Sequence, residues 1–239
     1  MTSFIGRILS SSFLLLALSP SQPALAQSAS WTPVGPDGGD ARSFAPDPTD
    51  PKHVYLGTTN SWIYQTEDGG ASWHTLAKLA KSDDLILDNV VVDQSDPKTL
   101  LVGAWIVDHP GGGLFISHDA GKTWTTVEAM KGQSIRAVTQ APSDPKTWIV
   151  GTLRGVYRSE DGGKSWAAVD SGTKSSITDL VQLSDGRVFA VALDGVSLTS
   201  DDRGHTFKVR QRADQRALTA LTISAENPIL FSDSGVVKD

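Results

Sequence analysis

From residue 40 onward the apolar positions come in short runs separated by polar turns rich in Gly, Pro, Asp and Ser. Runs of that kind, bounded by turn formers, predict β-strands. Four of them end in small residues: His53-Val-Tyr-Leu-Gly-Thr58, Thr99-Leu-Leu-Val-Gly-Ala104, Thr147-Trp-Ile-Val-Gly-Thr152 and Arg187-Val-Phe-Ala-Val-Ala192. Each follows a turn, at Pro48-Thr-Asp-Pro51, Ser95-Asp-Pro97, Ser143-Asp-Pro145 and Ser184-Asp-Gly186. Pro and Gly there are ordinary turn chemistry. A shorter strand, such as Gly155-Val-Tyr-Arg158, comes next.

The same order recurs because the chain is a repeat. Four segments share one pattern: Thr66-Glu-Asp-Gly-Gly-Ala-Ser-Trp73, Ser117-His-Asp-Ala-Gly-Lys-Thr-Trp124, Ser159-Glu-Asp-Gly-Gly-Lys-Ser-Trp166 and Ser200-Asp-Asp-Arg-Gly-His-Thr-Phe207. Their aspartates, Asp68, Asp119, Asp161 and Asp202, lie 51, 42 and 41 residues apart. That spacing suits a four-stranded antiparallel blade. With the strands of a blade called A to D, the box falls between C and D. Its Asp is placed to accept backbone N–H bonds just after it, its Gly to take a conformation a side chain resists, and its aromatic to plug neighbouring sheets. A calcium loop needs several oxygen ligands in one stretch, and each box offers one or two carboxylates, so the boxes read as scaffold and no metal is expected.

Counting blades gives the architecture. After the fourth box, Leu218 to Ser224 reads as strand A, Pro228 to Ser232 as B and Gly235 to Lys238 as a short C. Ser30-Trp31-Thr32-Pro33-Val34 matches the opening of a D strand, as in Ser72-Trp73 and Ser165-Trp166. The expectation is an all-β fold: a single β-propeller of four-stranded antiparallel blades, five in number and closed by the N-terminal strand. Closure would remove exposed sheet edges. An incomplete six- or seven-bladed propeller is the alternative.

Composition agrees. The chain holds 22 Gly, 12 Pro and 7 Trp against 2 Met, a profile poor in helix formers. A net charge of −6 excludes the basic footprint of a nucleic-acid binder. The absence of Cys excludes disulfides, thiolate zinc, haem attachment and a cysteine nucleophile. Residues 1–26 read as a signal peptide, with Arg7, an apolar Ile8 to Leu18 and the small-residue site Ala24-Leu25-Ala26. Residues 27–239 are then the propeller, extracytoplasmic (periplasmic or secreted) and not membrane-spanning once the signal is cleaved.

The repeat resembles the BNR or Asp-box family of β-propellers, which includes sialidases, family 74 xyloglucanases, the sortilin ectodomain and photosystem II stability/assembly factors. The likeness covers residues 30–239 and is specific for fold, not function. It implies boxes on the rim away from the ligand face, with function on the opposite face made by B–C and D–A loops. A sialidase-like site would need a free Tyr and Glu. Tyr55 falls on strand B, Tyr64 and Tyr157 on C, Glu67 and Glu160 in boxes, Glu128 on a D strand and Glu226 in an A–B turn. A xyloglucanase-like site would need two opposed carboxylates. Where the family places a catalytic Asp after the threonines, this chain has Asn60, which cannot act as a base.

The candidates therefore lie on the B–C face. Blade 2 carries a longer B–C loop, Trp105-Ile-Val-Asp-His-Pro-Gly-Gly112, and blade 1 presents Asn60-Ser-Trp62 at the equivalent place. Strand A entries add Arg42, Asp88, Arg136, Asp179 and Thr219. Binding is expected at Arg42, Trp62, Asp88, Trp105, Asp108, His109 and Arg136, with Asp88 and Asp179 the catalytic candidates if there is chemistry. Asp68, Trp73, Asp119, Trp124, Asp161, Trp166, Asp202 and Phe207 are expected to be structural. The reading is a monomeric, non-catalytic, cofactor-free binding or assembly module that takes a protein partner. A glycoside hydrolase or carbohydrate-binding propeller, taking a polysaccharide, is the alternative.

Overall fold

The computed structural model describes residues 35–36 and 40–237. The short apolar runs pair into five antiparallel sheets, each built in chain order. Sheet 1 holds β1 (Ala41–Pro46), β2 (Val54–Thr58), β3 (Trp62–Thr66) and β4 (His74–Lys78). Sheet 2 holds β5 (Ile86–Val92), β6 (Leu100–Trp105), β7 (Gly112–Ser117) and β8 (Thr125–Thr126). Sheet 3 holds β9 (Ile135–Ala141), β10 (Asp144–Thr152), β11 (Gly155–Ser159) and β12 (Ala167–Val169). Sheet 4 holds β13 (Ile177–Gln182), β14 (Val188–Ala192), β15 (Val196–Ser200) and β16 (Lys208–Gln211). Among the described residues sheet 5 has three strands, β17 (Leu218–Ser224), β18 (Asn227–Ser232) and β19 (Gly235–Val236). The expected closing strand, Ser30 to Val34, lies outside the described residues, as does Lys238.

Two local expectations differ. Asp144 and Pro145 belong to β10, because Asp144 already pairs with Ala141 and the hairpin turns earlier than the Ser-Asp-Pro run. Glu128 lies on a 3-10 turn, Glu128–Met130, instead of a D strand. Burial of the whole Met130 side chain draws the chain inward after the two residues of β8.

The sheets pack in succession through their first strands: β5 against β1 and β2, β9 against β5 and β6, β13 against β9 and β10, β17 against β13 and β14. Fully buried residues open the later strands: Leu87, Ile135, Ile177 and Leu218. At the first three joints Gly57, Gly103 and Gly151, near the ends of β2, β6 and β10, make room for Leu87, Ile135 and Ile177. A Cβ on Gly151 would lie 2.4 Å from Ile177 Cγ2, so at this crossing only hydrogen fits. Polar ties span the same joints. Asn89 donates to the Arg136 carbonyl (2.9 Å) and accepts from Val138 N (3.2 Å). Between sheets 4 and 5, Thr178 Oγ1 donates to the Leu218 carbonyl at 2.6 Å, and Asp179 accepts from Leu221 N at 2.8 Å.

All four boxes share one geometry. In the third, Ser159 Oγ donates to Asp161 (2.8 Å), and Asp161 also accepts from Ser165 N (2.9 Å) and Ser165 Oγ (2.5 Å). Ser159 Oγ in turn accepts from Gly163 N at 3.0 Å. Hydroxyl donors first, and backbone N–H groups next, lower the Asp119 and Asp161 carboxyls to about 2 and hold Asp68 and Asp202 well below the usual range. The indoles of Trp124 and Trp166 donate to the carbonyls of Gly121 (2.8 Å) and Gly163 (2.9 Å). Trp124, Trp166 and Phe207 pack onto three successive apolar clusters. Gly204 has φ +80° and a space that a Cβ would fill to within 2.4 Å of Ile149 Cδ1, so the fourth box leans directly on sheet 3.

Candidate functional site

Strand A of each sheet carries an irregularity near its start. The register slips between Ala41 and Ser43, Ile86 and Asn89, Ile177 and Asp179, and Leu218 and Ala220, with a matching slip opposite Ile135 to Ala137. A bulge re-aims the extra side chain. The slip frees Arg42, Asp88 and Arg136, together with Thr178 and Thr219, at the B–C end of the sheets.

Three of these meet. Asp88 accepts from Arg42 Nε at 2.8 Å on one oxygen and from Trp105 Nε1 at 2.5 Å on the other. The Arg136 guanidinium stacks 3.8 Å from the Trp105 ring centroid. The hydrogen bond and charge of Asp88 raise the pKa of Arg42, whereas burial lowers that of Arg136. Guanidinium stays charged in both cases. The two cations thus differ: Arg42 is neutralised by a carboxylate, while Arg136 is half-buried against an aromatic face.

Beside Arg136 opens a cavity of about 280 Å³. The loop from Trp105 to Pro110 forms one wall, Ser134, Arg136 and Leu153 the other. Asp108 and His109 therefore line the same space as Trp105 and Arg136. Ser134 pins the loop base, with its Oγ accepting from Gly111 N (3.2 Å) and donating to the Gly111 carbonyl (3.1 Å). Val107 is 66% exposed at the loop tip.

Two candidates stand elsewhere. Trp62 opens β3 and sits under the Lys78 ammonium at 5.4 Å, and Trp105 ends β6, so both indoles belong to strand ends and not to loops. Asp179 is one residue past the bulge and shares the register of Asn89, not of Arg42. Its oxygens accept from Leu180 N and Leu221 N, each at 2.8 Å, and burial raises its pKa. It clasps two sheets. Ser134 and Leu153 escaped the sequence reading, although Leu153 occupies the B–C turn of blade 3, the repeat equivalent of the longer loop.

The family model described as photosynthesis system II assembly factor YCF48 matches residues 27–236. The chain belongs to the YCF48 family. A photosystem II assembly lipoprotein Ycf48 from Synechococcus sp. (strain CC9902) is 28% identical over 177 residues, 72% of this chain and 50% of that protein. A Paenibacillus sp. xyloglucanase is 36% identical over 111 residues, 41% of this chain and 10% of the enzyme. The chain thus spans half the length of one curated relative and a tenth of the other. Among solved structures, an ancestral GH74 enzyme superposes with a TM-score of 0.68 at 19% identity, covering 84% of this chain and 28% of that one. YCF48 bound to D1 peptide gives a TM-score of 0.61 at 16% identity, covering 81% and 60%. At such identities these structures speak to fold. Among the described residues, no helix is long and apolar enough to cross a membrane, and no group of three or more acidic or His side chains is placed to hold a metal.

Proposed function

We propose that this YCF48-family chain is a non-catalytic, extracytoplasmic binding module, freed of residues 1–26 and monomeric, that takes a polypeptide segment on the Trp105–Arg136 face. The observation that carries the binding reading is Arg136. Its guanidinium is half-buried and stacked on Trp105, and among the described residues no side-chain acceptor is hydrogen-bonded to it. A cation with an unspent N–H fork beside Ile106, Val107 and Leu153 suits a peptide carbonyl or carboxylate flanked by an apolar side chain. The D1 peptide bound in the YCF48 structure belongs to that protein and supplies the chemical class of probe.

The hydrolase alternative has less support. Asp88 and Asp179 each have both oxygens engaged, which leaves neither poised to hold a water or protonate a glycosidic oxygen. Trp105, on which a sugar would stack, already carries Arg136 on its ring. Calorimetric titration with D1 peptide should show binding that weakens tenfold or more in Arg136→Ala and Trp105→Ala, with melting temperatures kept in Arg136→Ala. No binding by the parent chain, or hydrolysis of xyloglucan above background, refutes the proposal.

A further inference from the structure

Along the outer side of sheet 3 runs a groove of about 580 Å³. Residues 165–170 border it without a gap, joined by Arg158, Glu160 and Asp161 at the box end and by His205 of the fourth box. A sheet face would contribute alternate residues only. Here both faces contribute: Trp166 packs with Trp148 and Leu101, Val169 with Ile177 and Leu198 in the next cluster. The groove therefore follows the edge of β12, the end strand of its sheet. Among the described residues, no backbone hydrogen bond outside the ladder with β11 reaches residues 167–169.

End strands invite further pairing and are ordinarily kept short or charged. β8 has two residues, β4 ends on Lys78, and β16 carries Lys208 and Arg210. β12 is Ala167-Ala168-Val169, uncharged, with both alanines exposed. Beside it lies a charge the scaffold does not require. Arg158 stands opposite Ala167, at the ladder place where the other blades have Gln65, Ile116 and Thr199. Its side chain is only 7% exposed; Nε donates to the Arg203 carbonyl at 2.8 Å and Nη1 to the Glu160 carboxylate. The pair fixes Glu160 at the mouth of the groove, where the Arg158 hydrogen bond and charge hold its carboxyl below the usual range. Glu160, Asp161 and Asp170 give the lining three carboxylates against one guanidinium. We propose that β12 receives an extended, basic segment of another polypeptide as a fifth strand of sheet 3, with main-chain pairing to residues 167–169 and Lys or Arg side chains turned to Glu160 and Asp170. Main-chain bonds to an open edge supply affinity in this mode, and the flanking charges supply selectivity. A second copy of the chain would bring the same acids to the edge. The site is separate from the Trp105–Arg136 face and does not depend on it.

The test titrates a capped peptide, Lys-Thr-Val-Thr-Val-Lys, into the isotope-labelled full chain. At millimolar peptide, exchange of the edge-facing amides of residues 167–169 should slow about tenfold. Ala168→Glu should tighten binding and Ala168→Lys weaken it, the two differing by about tenfold, with melting temperatures kept because the position is exposed. The same peptide N-methylated throughout keeps both charges but has no donors, and should give no protection. Equal protection by Glu-Thr-Val-Thr-Val-Glu, or by the methylated peptide, overturns the inference. A dimeric chain whose β12 amides are already protected gives the edge to a second copy and overturns it too. Signals that move at Trp105 and Arg136 while β12 stays unchanged place the peptide on the other face, which overturns this site and leaves the reading of that face standing. No change at any residue overturns it as well.

Discussion

Adding one methyl group at Gly151 should force the third and fourth sheets apart. The new Cβ would lie 2.4 Å from Ile177 Cγ2, 2.8 Å from Ile177 Cβ and 3.2 Å from Ala137 Cβ, none of which is the loose end of a flexible chain. Gly151 lies outside the left-handed region, so the cost is steric and not conformational. Overpacking of this kind costs about 1–3 kcal/mol. Ile177→Ala alone removes a fully buried side chain and should cost about 2–5 kcal/mol. Together the two changes should cost less than their sum by about 1 kcal/mol, since loss of Cγ2 removes the closest of the three contacts and leaves only those to the Ile177 and Ala137 Cβ atoms. Ile177→Val is the control: it keeps both γ carbons, so it should not rescue Gly151→Ala. Urea unfolding midpoints of the four chains, with the valine control, measure the coupling. Additivity within about 0.5 kcal/mol, or rescue by valine, would refute the steric account of this joint.

Asp161→Ala should lower the melting temperature by a few degrees through loss of a hydroxyl- and N–H-bonded turn, while neither calcium nor a chelator should move it. The box carboxyls titrate lower in the fold than in an unfolded chain, at about 2 for Asp119 and Asp161 against ~3.9. Their contribution is therefore whole above about pH 5 and lost as pH falls from ~4 towards 2, so acid unfolding should take up protons there, and Asp161→Asn should take up fewer. Asp179→Ala should loosen the joint between sheets 4 and 5, raising amide exchange at Leu221 and Leu180, and should leave peptide binding at Arg136 unchanged. Equal loss of binding in that variant would place Asp179 in the recognition face after all.

The sheets were legible because a repeat states its own register: each box marks a C–D turn, and the runs ending in Gly57, Gly103 and Gly151 mark second strands. What spacing could not convey was the slip in strand A. A single inserted residue moved Asp179 from the exposed set of Arg42 and Arg136 into the clasp occupied elsewhere by Asn89, and only hydrogen-bond partners reveal that shift. The pairing of Arg42 with Asp88, and of Trp105 with Arg136, was likewise invisible, because it joins residues of three sheets whose separation in sequence carries no signal. Glu128 was misassigned for a different reason: the burial of Met130 outweighed the local strand pattern.

Near the bulged starts of the first strands the ties between sheets point forward along the chain, from Ser43 to the Leu87 carbonyl, from Asn89 to Arg136 and Val138, and from Asp179 to Leu221, whereas at the far ends Gln140 accepts from Gln94 N and Gln182 donates to the Thr139 carbonyl. Each of the forward-pointing side chains, Ser43, Asn89 and Asp179, waits for a strand that has yet to be synthesised. On a ribosome, or after passage through a membrane pore, a nascent sheet would carry unmet polar groups on its leading side until about forty further residues emerged. Assembly would then run as a ratchet, with every new first strand locking its predecessor, and a stall between sheets would expose one known set of groups: a timer written into the order of the polypeptide.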